Sequence, residues 1–378
     1  MSLPTAPRSR PRDRKQQILA AAARQFWDVG YHRVGMADIA ATVGISAGAL
    51  YRHFRGKQDL LVDVMREALD RLDTVASRPA DLDRTISTLA TLALESREFG
   101  VLWDRDAVNL PETERTALGK RLRKILQRTV SAVAAESGLP ADAARLRARA
   151  VHAVLESPSY HRTEVDQALL ERVARAVAAV ELPETGSRAP AGGRDPQRLS
   201  SRREALLAAA IRLFGERGYP SVSMTDIGTA AGIAGPSVYN HFSSKNELLT
   251  GVLNRGTEVL WLGLHRALAA ADGPLDALGH VMRSYAVFAT ENPAIISVLL
   301  AEVINLPEEQ REAYRRVQQE YVAEWVTLVL RAHPGIPETE ARVRVHAALG
   351  VANTLSRTNR AALADEITAL GRATFTHS

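Results

Sequence analysis

Apolar residues recur along this chain at intervals of three and four, and no stretch sustains an alternation of period two, so the pattern predicts helices throughout and no sheet. Ile18, Leu19, Ala22, Ala23 and Phe26 make the first apolar stripe. An Asp13-x-x-Gln16 box is expected to open that helix, and Gly30 to stop it. A short helix follows over 36–42 with Ile39 inward, Gly44 turns the chain, and Ser46 caps a third helix reaching about His53. Lys57 starts a longer fourth helix carrying Leu60, Leu61, Val64, Ala68 and Leu72. After Pro79, helices are predicted over 82–97, 98–108, 112–137, 141–156 and 164–180. They are separated by Asn109-Leu110-Pro111, Ser137-Gly138-Leu139-Pro140 and Ser157-Pro158-Ser159.

The pattern then starts again. Leu206, Leu207, Ala210, Ile211 and Phe214 repeat the first stripe, Gly218 ends it, and Ser201-x-x-Glu204, Ser223-x-x-Asp226 and Ser244-x-x-Glu247 are three capping boxes. Residues 18–61 align with 206–249 without a gap, and 20 of 44 positions are identical, far above chance. The repeat continues more faintly: Asn109-Leu110-Pro111-Glu112 returns as Asn305-Leu306-Pro307-Glu308, and the Ala-Arg-aliphatic-Arg run at 144–147 returns at 341–344. The chain is a tandem duplication. Its expected divisions are a basic arm over 1–12, a head over 13–61, a helical half over 62–181, a Pro/Gly-rich linker over 182–199, a second head over 200–249 and a second helical half over 250–378.

Composition narrows the class. Cysteine is absent, which removes disulfides and thiolate metal sites. No apolar run approaches the ~18 residues that cross a bilayer. The arginines at 8, 10 and 12 have no apolar run behind them, so a cytoplasmic protein without membrane association is expected. The net charge of +5 is unevenly spread. Residues 1–61 hold ten Lys/Arg against four Asp/Glu, and residues 194–249 hold seven against five, which leaves the rest net negative. Positive charge gathers around the two repeated heads, where a polyanion is the expected partner.

Helix, glycine turn and second helix is the helix-turn-helix pattern, whose second helix enters the major groove of double-stranded DNA with its N-terminal residues at base edges. In copy one those residues are Ser46, Ala47, Gly48 and Ala49; in copy two they are Ala234, Gly235, Pro236 and Ser237. Pro236 is tolerated because the first helical turn has no internal use for its N–H. Tyr51 and Tyr239, kept in both copies among variable neighbours, are read as DNA contacts over the alternative of half-buried packing. His53, His241, Lys57, Lys245, Arg52 and Asn240 are expected along the phosphates, with Ser223 and Thr225 beside them in copy two. Gly35 stands where Ser223 keeps a hydroxyl, so copy one is expected to lack one cap and one phosphate contact. Arg52 and Arg55 face Asn240 and Ser243, which makes the first head the more basic. Arg8, Arg10, Arg12 and Arg14 are either a minor-groove arm or an untethered tail. Phe26, Phe54, Phe214, Phe242, Ile39, Ile45, Ile227 and Ile233 are expected in the cores.

These residues resemble the DNA-binding domain of TetR-family repressors. The likeness rests on Phe26-x-x-x-Gly30-Tyr31, Met36-x-Asp38-Ile39-Ala40, Gly44-Ile45-Ser46 and Leu50-Tyr51-x-His53-Phe54-x-x-Lys57-x-x-Leu60. It rests equally on Phe214-x-x-x-Gly218-Tyr219, Met224-x-Asp226-Ile227, Gly232-Ile233 and Val238-Tyr239-x-His241-Phe242-x-x-Lys245. It covers about 45 residues of each half. The resemblance implies an all-α chain of two tandem units, each a three-helix head plus a helical ligand-binding and dimerisation domain, joined as an intramolecular pseudo-dimer. It also implies a regulator that a small effector releases from its operator. Leu102-Trp103-x-Arg105-Asp106-Ala107 is similar to a stretch in tandem regulators of lipid genes. Successive major grooves lie ~34–36 Å apart, and an 18-residue linker reaches at most ~60 Å. Helices 112–137 and 141–156 with 307–332 and 338–355 are the expected four-helix interface, through Ile125, Leu126, Val130 and Val133 on one side and Val326, Leu328, Val329 and Leu330 on the other.

An effector site is expected among Trp103, His152 and Tyr160 in copy one, or Trp261, Tyr285, Phe288, Trp325, His346 and Asn353 in copy two. Copy two, with more polar aromatics, is favoured, for a mostly apolar, lipid-like or acyl compound. No catalytic constellation, metal-binding pair or phosphate loop is apparent, and neither an enzyme nor a cofactor is expected. Two alternatives stand beside the effector-released repressor: a constitutive DNA-binding protein, and a small-molecule binding protein with one degenerate head. Whether whole chains pair further is left open.

Overall fold

A computed structural model describes residues 11–76, 81–183, 201–357 and 364–376, and every regular element among them is helical. Copy one contributes α1 (Pro11–Val29), α2 (Met36–Val43), α3 (Ala47–Tyr51), α4 (Lys57–Ala76), α5 (Leu82–Glu95), α6 (Phe99–Val101), α7 (Glu112–Ser137), α8 (Ala141–Glu156) and α9 (Gln167–Ala178). Copy two contributes α10 (Arg202–Arg217), α11 (Met224–Ala231), α12 (Gly235–Val238), α13 (Lys245–Ala269), α14 (Pro274–Glu291), α15 (Pro293–Ala301), α16 (Glu308–Ala332), α17 (Glu338–Ser356) and α18 (Ala364–Ala373). The chain divides into two compact units. One holds α1–α4, α6 and α7 as far as Ile125; the other holds α5, the rest of α7, α8, α9 and all of copy two.

Local chemistry sets most helix ends. The Ser201, Ser223 and Ser244 hydroxyls each accept from the N–H three residues on, at Glu204, Asp226 and Glu247. Asp166 does the same for Leu169, so α9 opens at Gln167, three residues later than the pattern predicts. The expected cap at Asp13 is corrected: α1 already runs from Pro11, which leaves Asp13 inside the helix. The predicted helix over 98–108 is irregular. After Val101 it widens into a π turn over Leu102–Asp106 and tightens into a 3-10 turn over Ala107–Asn109. Of the expected arm, residues 1–10 lie outside the described residues; of the linker, 184–199 do.

The cores follow the apolar stripes. In the first head α1 packs on α2 and α4, burying Ile18, Phe26, Ile39 and Phe54. Leu206, Phe214, Ile227 and Phe242 repeat this in the second. Ile45 and Ile233 are only half-buried, a correction to their assignment as core, because each follows the turn glycine on the rim of its head. In copy two α15 lies against α10 and α13 at two glycines. A Cβ on Gly215 would stand 3.0 Å from Ala294 Cα, and one on Gly256 would stand 2.8 Å from Ile295 Cγ2.

The contact between the copies also departs from expectation. α8 packs along α17, and α9 touches α17 and α18. α16 instead packs on α14 and α17 of its own copy, so Val326, Leu328 and Val329 are buried there. The physical reason is side-chain size. The contact runs through Gly350 of α17, which faces Ala153 and Ser157 at the end of α8, and both helices carry buried alanines and valines on either side of it. The helices come so close that a Cβ on Gly350 would lie 3.0 Å from the Ala153 carbonyl oxygen. Each of these helices also carries a buried arginine in the same place in the repeat. Arg344 donates to the Thr374 and Thr376 carbonyls and pairs with Glu340, and Arg147 donates to the Ala178 carbonyl.

Candidate nucleic-acid interface and the cluster behind it

The turn is built alike in both heads. Gly44 (φ 69°) and Gly232 (φ 69°) are left-handed, which a side chain would resist. Their N–H groups return to Ala41 and Thr229, while Ile45 N–H reaches Ala40 O and Ile233 N–H reaches Gly228 O, which closes the preceding helix. From there α3 starts under the Ser46 hydroxyl, which accepts from Ala49 N–H at 3.2 Å. Ala234 has no such group, and α12 is correspondingly short. Leu50 and Val238 anchor the two helices inward.

The opposite face is open. Ser46, Gly48, Arg52, His53, Ala234, Pro236 and Asn240 are exposed; Ala47, Ala49, Ser237 and His241 are half-buried; Gly235 lies in α12. Tyr51 is 54% exposed and Tyr239 57%, so neither packs into its head. An exposed tyrosine beside small residues on a helix that leaves its head is what a groove-facing surface requires.

Three expected phosphate contacts are engaged internally. Lys57 Nζ donates to Tyr31 O (2.8 Å) and Val34 O (3.0 Å) and lies 4.5 Å from the Tyr31 ring centre. Lys245 Nζ repeats this with Tyr219 O and Val222 O, both at 2.8 Å, and the Tyr219 ring at 4.1 Å. Burial lowers the pKa of both lysines, against which Asp106 and Glu302 respectively act. In this structure each ammonium ties down the loop before the second helix. Ser223 is likewise occupied, donating its O–H to Asp226 at 2.5 Å while accepting from Asp226 N–H. These bonds hold the Asp226 carboxyl below its usual range. In copy one Asp38 still accepts from Gly35 N–H at 2.8 Å, but Gly35 has no hydroxyl to return. Thr225 is exposed. Arg14, expected in a basic arm, donates to the Val43 carbonyl at 3.3 Å.

Two carboxylates to which the sequence pattern assigns no role, Glu302 and Asp106, are buried against the heads. Glu302, 7% exposed, accepts from Tyr219 N–H at 3.1 Å and from Asn305 Nδ2 at 2.6 Å. Asp106, 3% exposed, is bound by Arg105, which also donates to the Phe26 carbonyl of α1. Both stand three residues before the repeated Asn-Leu-Pro, so the repeat itself was the signal that could have found them. Burial raises the Asp106 pKa, while Arg105, His32 and Lys57 pull it down.

The candidate effector residues separate by copy. Trp103 stacks on Phe99 in one compact unit, whereas His152 lies in the other. His152 Nε2 and the Thr129 hydroxyl are 2.8 Å apart, and burial with the nearby Arg149 lowers the histidine pKa to about 4. Tyr160 is half-buried, and His346 stacks on His161 with ring centres 4.2 Å apart. In copy two the expected residues do converge. Trp261 meets Tyr321 edge to face (5.5 Å), Tyr321 tilts on Trp325 (6.3 Å), and Trp325 meets Tyr285 edge to face (5.9 Å). The Tyr285 hydroxyl donates to Asn353 Oδ1 at 2.7 Å, and Phe288 is buried on the same helix as Tyr285. Burial raises the pKa of Tyr285 and Tyr321, and that of Tyr314 to about 12, so all three stay protonated at neutral pH. No single described helix is long and apolar enough to cross a membrane.

Comparison with known proteins agrees with this geometry. Residues 18–64 and 206–252 each match the tetR family of bacterial regulatory proteins. The HTH-type transcriptional activator FasR of Mycolicibacterium smegmatis is 44% identical over 86 residues, 22% of this chain and 39% of that protein. The HTH-type transcriptional repressor KstR2 of the same species is 35% identical over 91 residues, 24% of this chain and 44% of that protein. The chain thus spans less than half the length of these two curated relatives. Among solved structures, a TetR-family transcriptional regulator from Bordetella parapertussis superposes with a TM-score of 0.43 at 22% identity, over 47% of this chain and 93% of that one. With two separate matches to the family, each covering a head with the same turn, the same tyrosine and the same lysine tie, the chain carries the DNA-binding domain of the tetR family of bacterial regulatory proteins twice in tandem.

Proposed function

We propose that this chain is a cytoplasmic DNA-binding transcriptional regulator, a repressor released by a small apolar effector, and that it reads an asymmetric operator with two different recognition helices. The observation that carries the reading is the exposure of Tyr51 and Tyr239 on identical frames whose intervening residues, 46–49 and 234–237, differ. A homodimer reads one half-site twice; two unlike helices in one chain have no such constraint. The repressor sense is supported by the names of KstR2 and Rv1474c, although FasR is named an activator. On this reading heads 13–61 and 200–249 bind double-stranded DNA, and helical halves 62–181 and 250–378 pair through α8 and α17 as an intramolecular pseudo-dimer. The effector enters copy two, where aromatic and polar groups converge.

The test is footprinting on a selected site. Tyr51→Ala and Tyr239→Ala should each weaken specific binding, by about 10-fold or more for one lost groove contact, with melting unchanged because both side chains are exposed. Replacing residues 234–237 by the sequence of 46–49 should make the selected site more nearly palindromic. Specific binding insensitive to both alanines would remove the docking assignment.

A further inference from the structure

The aromatic cluster of copy two contains a donor that no described acceptor meets in good hydrogen-bond geometry. Trp325 is completely buried, and its Nε1–H has no acceptor in hydrogen-bond geometry, although the Tyr321 hydroxyl is close enough to feel it. Buried polar groups are nearly always paired, and an orphaned one needs a reason. Copy one lacks this feature. In the register fixed by the repeated Asn-Leu-Pro-Glu, Trp325 corresponds to Thr129, Tyr321 to Ile125 and Tyr285 to Leu89. Thr129 is satisfied by His152, and the other two positions are aliphatic core. The substitutions in copy two therefore bring in polar atoms together, and one remains unpaired.

The kind of partner follows from what surrounds the donor. Asn353 accepts from Tyr285 through Oδ1, so its NH2 is the group it has to offer. The Tyr285 hydroxyl proton is already given to Asn353, so the Tyr321 phenol is the further hydroxyl donor of the series. No carboxylate hydrogen-bonds to Trp325, Tyr285 or Asn353, so a cation has no counter-charge there. Arg357, which donates to the Asn353 carbonyl, is the one charged group that acts on Tyr285. The rings supply apolar area, and Trp261, half-buried, is the outward member of the series.

Resting on the effector reading above, we infer that copy two binds a neutral, mostly apolar molecule through a hydrogen-bond acceptor, a ketone or ester carbonyl oxygen to which Trp325 Nε1–H donates. The acceptor completes the orphaned donor, and the ring series from Trp261 inward holds the apolar body. Copy one, already satisfied at Thr129, takes none, so the stoichiometry is one molecule per chain.

The experiment uses the full chain with cyclododecanone and methyl laurate, each beside a matched hydrocarbon (cyclododecane, dodecane), and with lauric acid. Binding is read by melting temperature and by the indole N–H signals of the four tryptophans in nitrogen-15 spectra. The Trp325 signal is assigned by replacing Trp27, Trp103 and Trp261 with Phe in turn. The carbonyl compounds should bind at least about 10-fold tighter than the hydrocarbons, as one added hydrogen bond to a buried donor allows. They alone should move the Trp325 indole proton downfield. Trp325→Phe should remove that preference, and Thr129→Ala should leave it intact. The native-chain spectrum carries the test should Trp325→Phe fail to fold. Equal binding of hydrocarbon and ketone, an unmoved Trp325 signal, no binding of either carbonyl compound, or tightest binding of lauric acid lost in Arg357→Gln would each overturn the inference. Duplex binding is followed in the same samples. Loss of the carbonyl effect with DNA still bound removes this inference alone, whereas a ligand-free chain that binds no DNA removes the regulator reading.

Discussion

Lys57 and Lys245 separate two physical roles cleanly, because each role has its own signature. Each ammonium donates two good hydrogen bonds to loop carbonyls, at 2.8 and 3.0 Å in copy one and at 2.8 Å twice in copy two. A hydrogen bond to a charged group contributes ~1.5–3 kcal/mol. The lysines are half-buried, and desolvation has already lowered their pKa, so part of that gain is offset. Lys57→Met or Lys245→Met should therefore cost about 2–4 kcal/mol, a large part of what holds a small domain together. In hydrogen exchange, the amides over 31–36 or 219–224 should lose protection in the affected head and keep it in the other. Duplex binding should weaken, yet the slope of log affinity against log salt should stay as in the parent, because no phosphate contact is lost. A lysine on a phosphate does the reverse: its removal lowers that slope by ~0.9 and leaves exchange untouched. A reduced slope with unchanged exchange would refute the internal tie.

Arg344→Met strands two carbonyls and the Glu340 carboxylate at a nearly dry site and should cost about 3–5 kcal/mol by thermal or denaturant unfolding. Arg147→Met, which breaks one charge-assisted carbonyl bond, should cost about 2 kcal/mol, and equal effects would contradict the asymmetry. His152 has a folded pKa of about 4, below its unfolded value of 6.5, so the unfolded chain takes up the proton first. Its contribution is complete above pH 6.5 and lost as pH falls towards 4, by at most about 3 kcal/mol, and His152→Gln should flatten stability over that window. Gly256→Ala drives a methyl to 2.8 Å from Ile295 Cγ2 and should cost about 1–3 kcal/mol of stability, measured by calorimetry.

The heads were largely legible in the sequence because their signals are local. Gly44 needs a left-handed backbone, Ser46 needs only the N–H three residues on, and Phe26 and Ile39 share one stripe. The internal bonds of Lys57 were hidden for a different reason: spacing puts a side chain on a helix but does not say which carbonyls lie within its reach. The contact between the copies was hidden by size. Large aliphatics on α7 and α16 stand out in the pattern, but it is small residues, Gly350 against Ala153, that let α17 and α8 approach, and neither scores strongly as apolar. The convergence of Tyr285, Trp325 and Asn353 depends on three helices meeting, which no window along one of them reveals. Glu302 and Asp106 were readable only by holding the copies side by side.

What duplication within one chain permits is visible where the copies disagree. In a homodimer every side chain appears twice, so a tryptophan with an unpaired buried N–H would impose its cost, about 1–3 kcal/mol, on both subunits. Here Trp325 carries that cost once, and its counterpart Thr129 is paired with His152. The same division recurs between head and helical half. Copy two brings α10 against α15 through Gly215, where copy one has the buried Trp27. Copy one instead ties α4 to α7 through Arg121 with Asp70 and Asp73, where copy two has Val317, Glu258 and the half-buried Trp261. At these matched positions copy one places an ion pair and a satisfied threonine, while copy two places aromatic surface and an open donor. On the proposed reading the two halves have exchanged equality for a division of labour. One head carries the extra arginines Arg52 and Arg55 for general affinity to DNA, and the other sits in the same compact unit as the cluster that receives the signal.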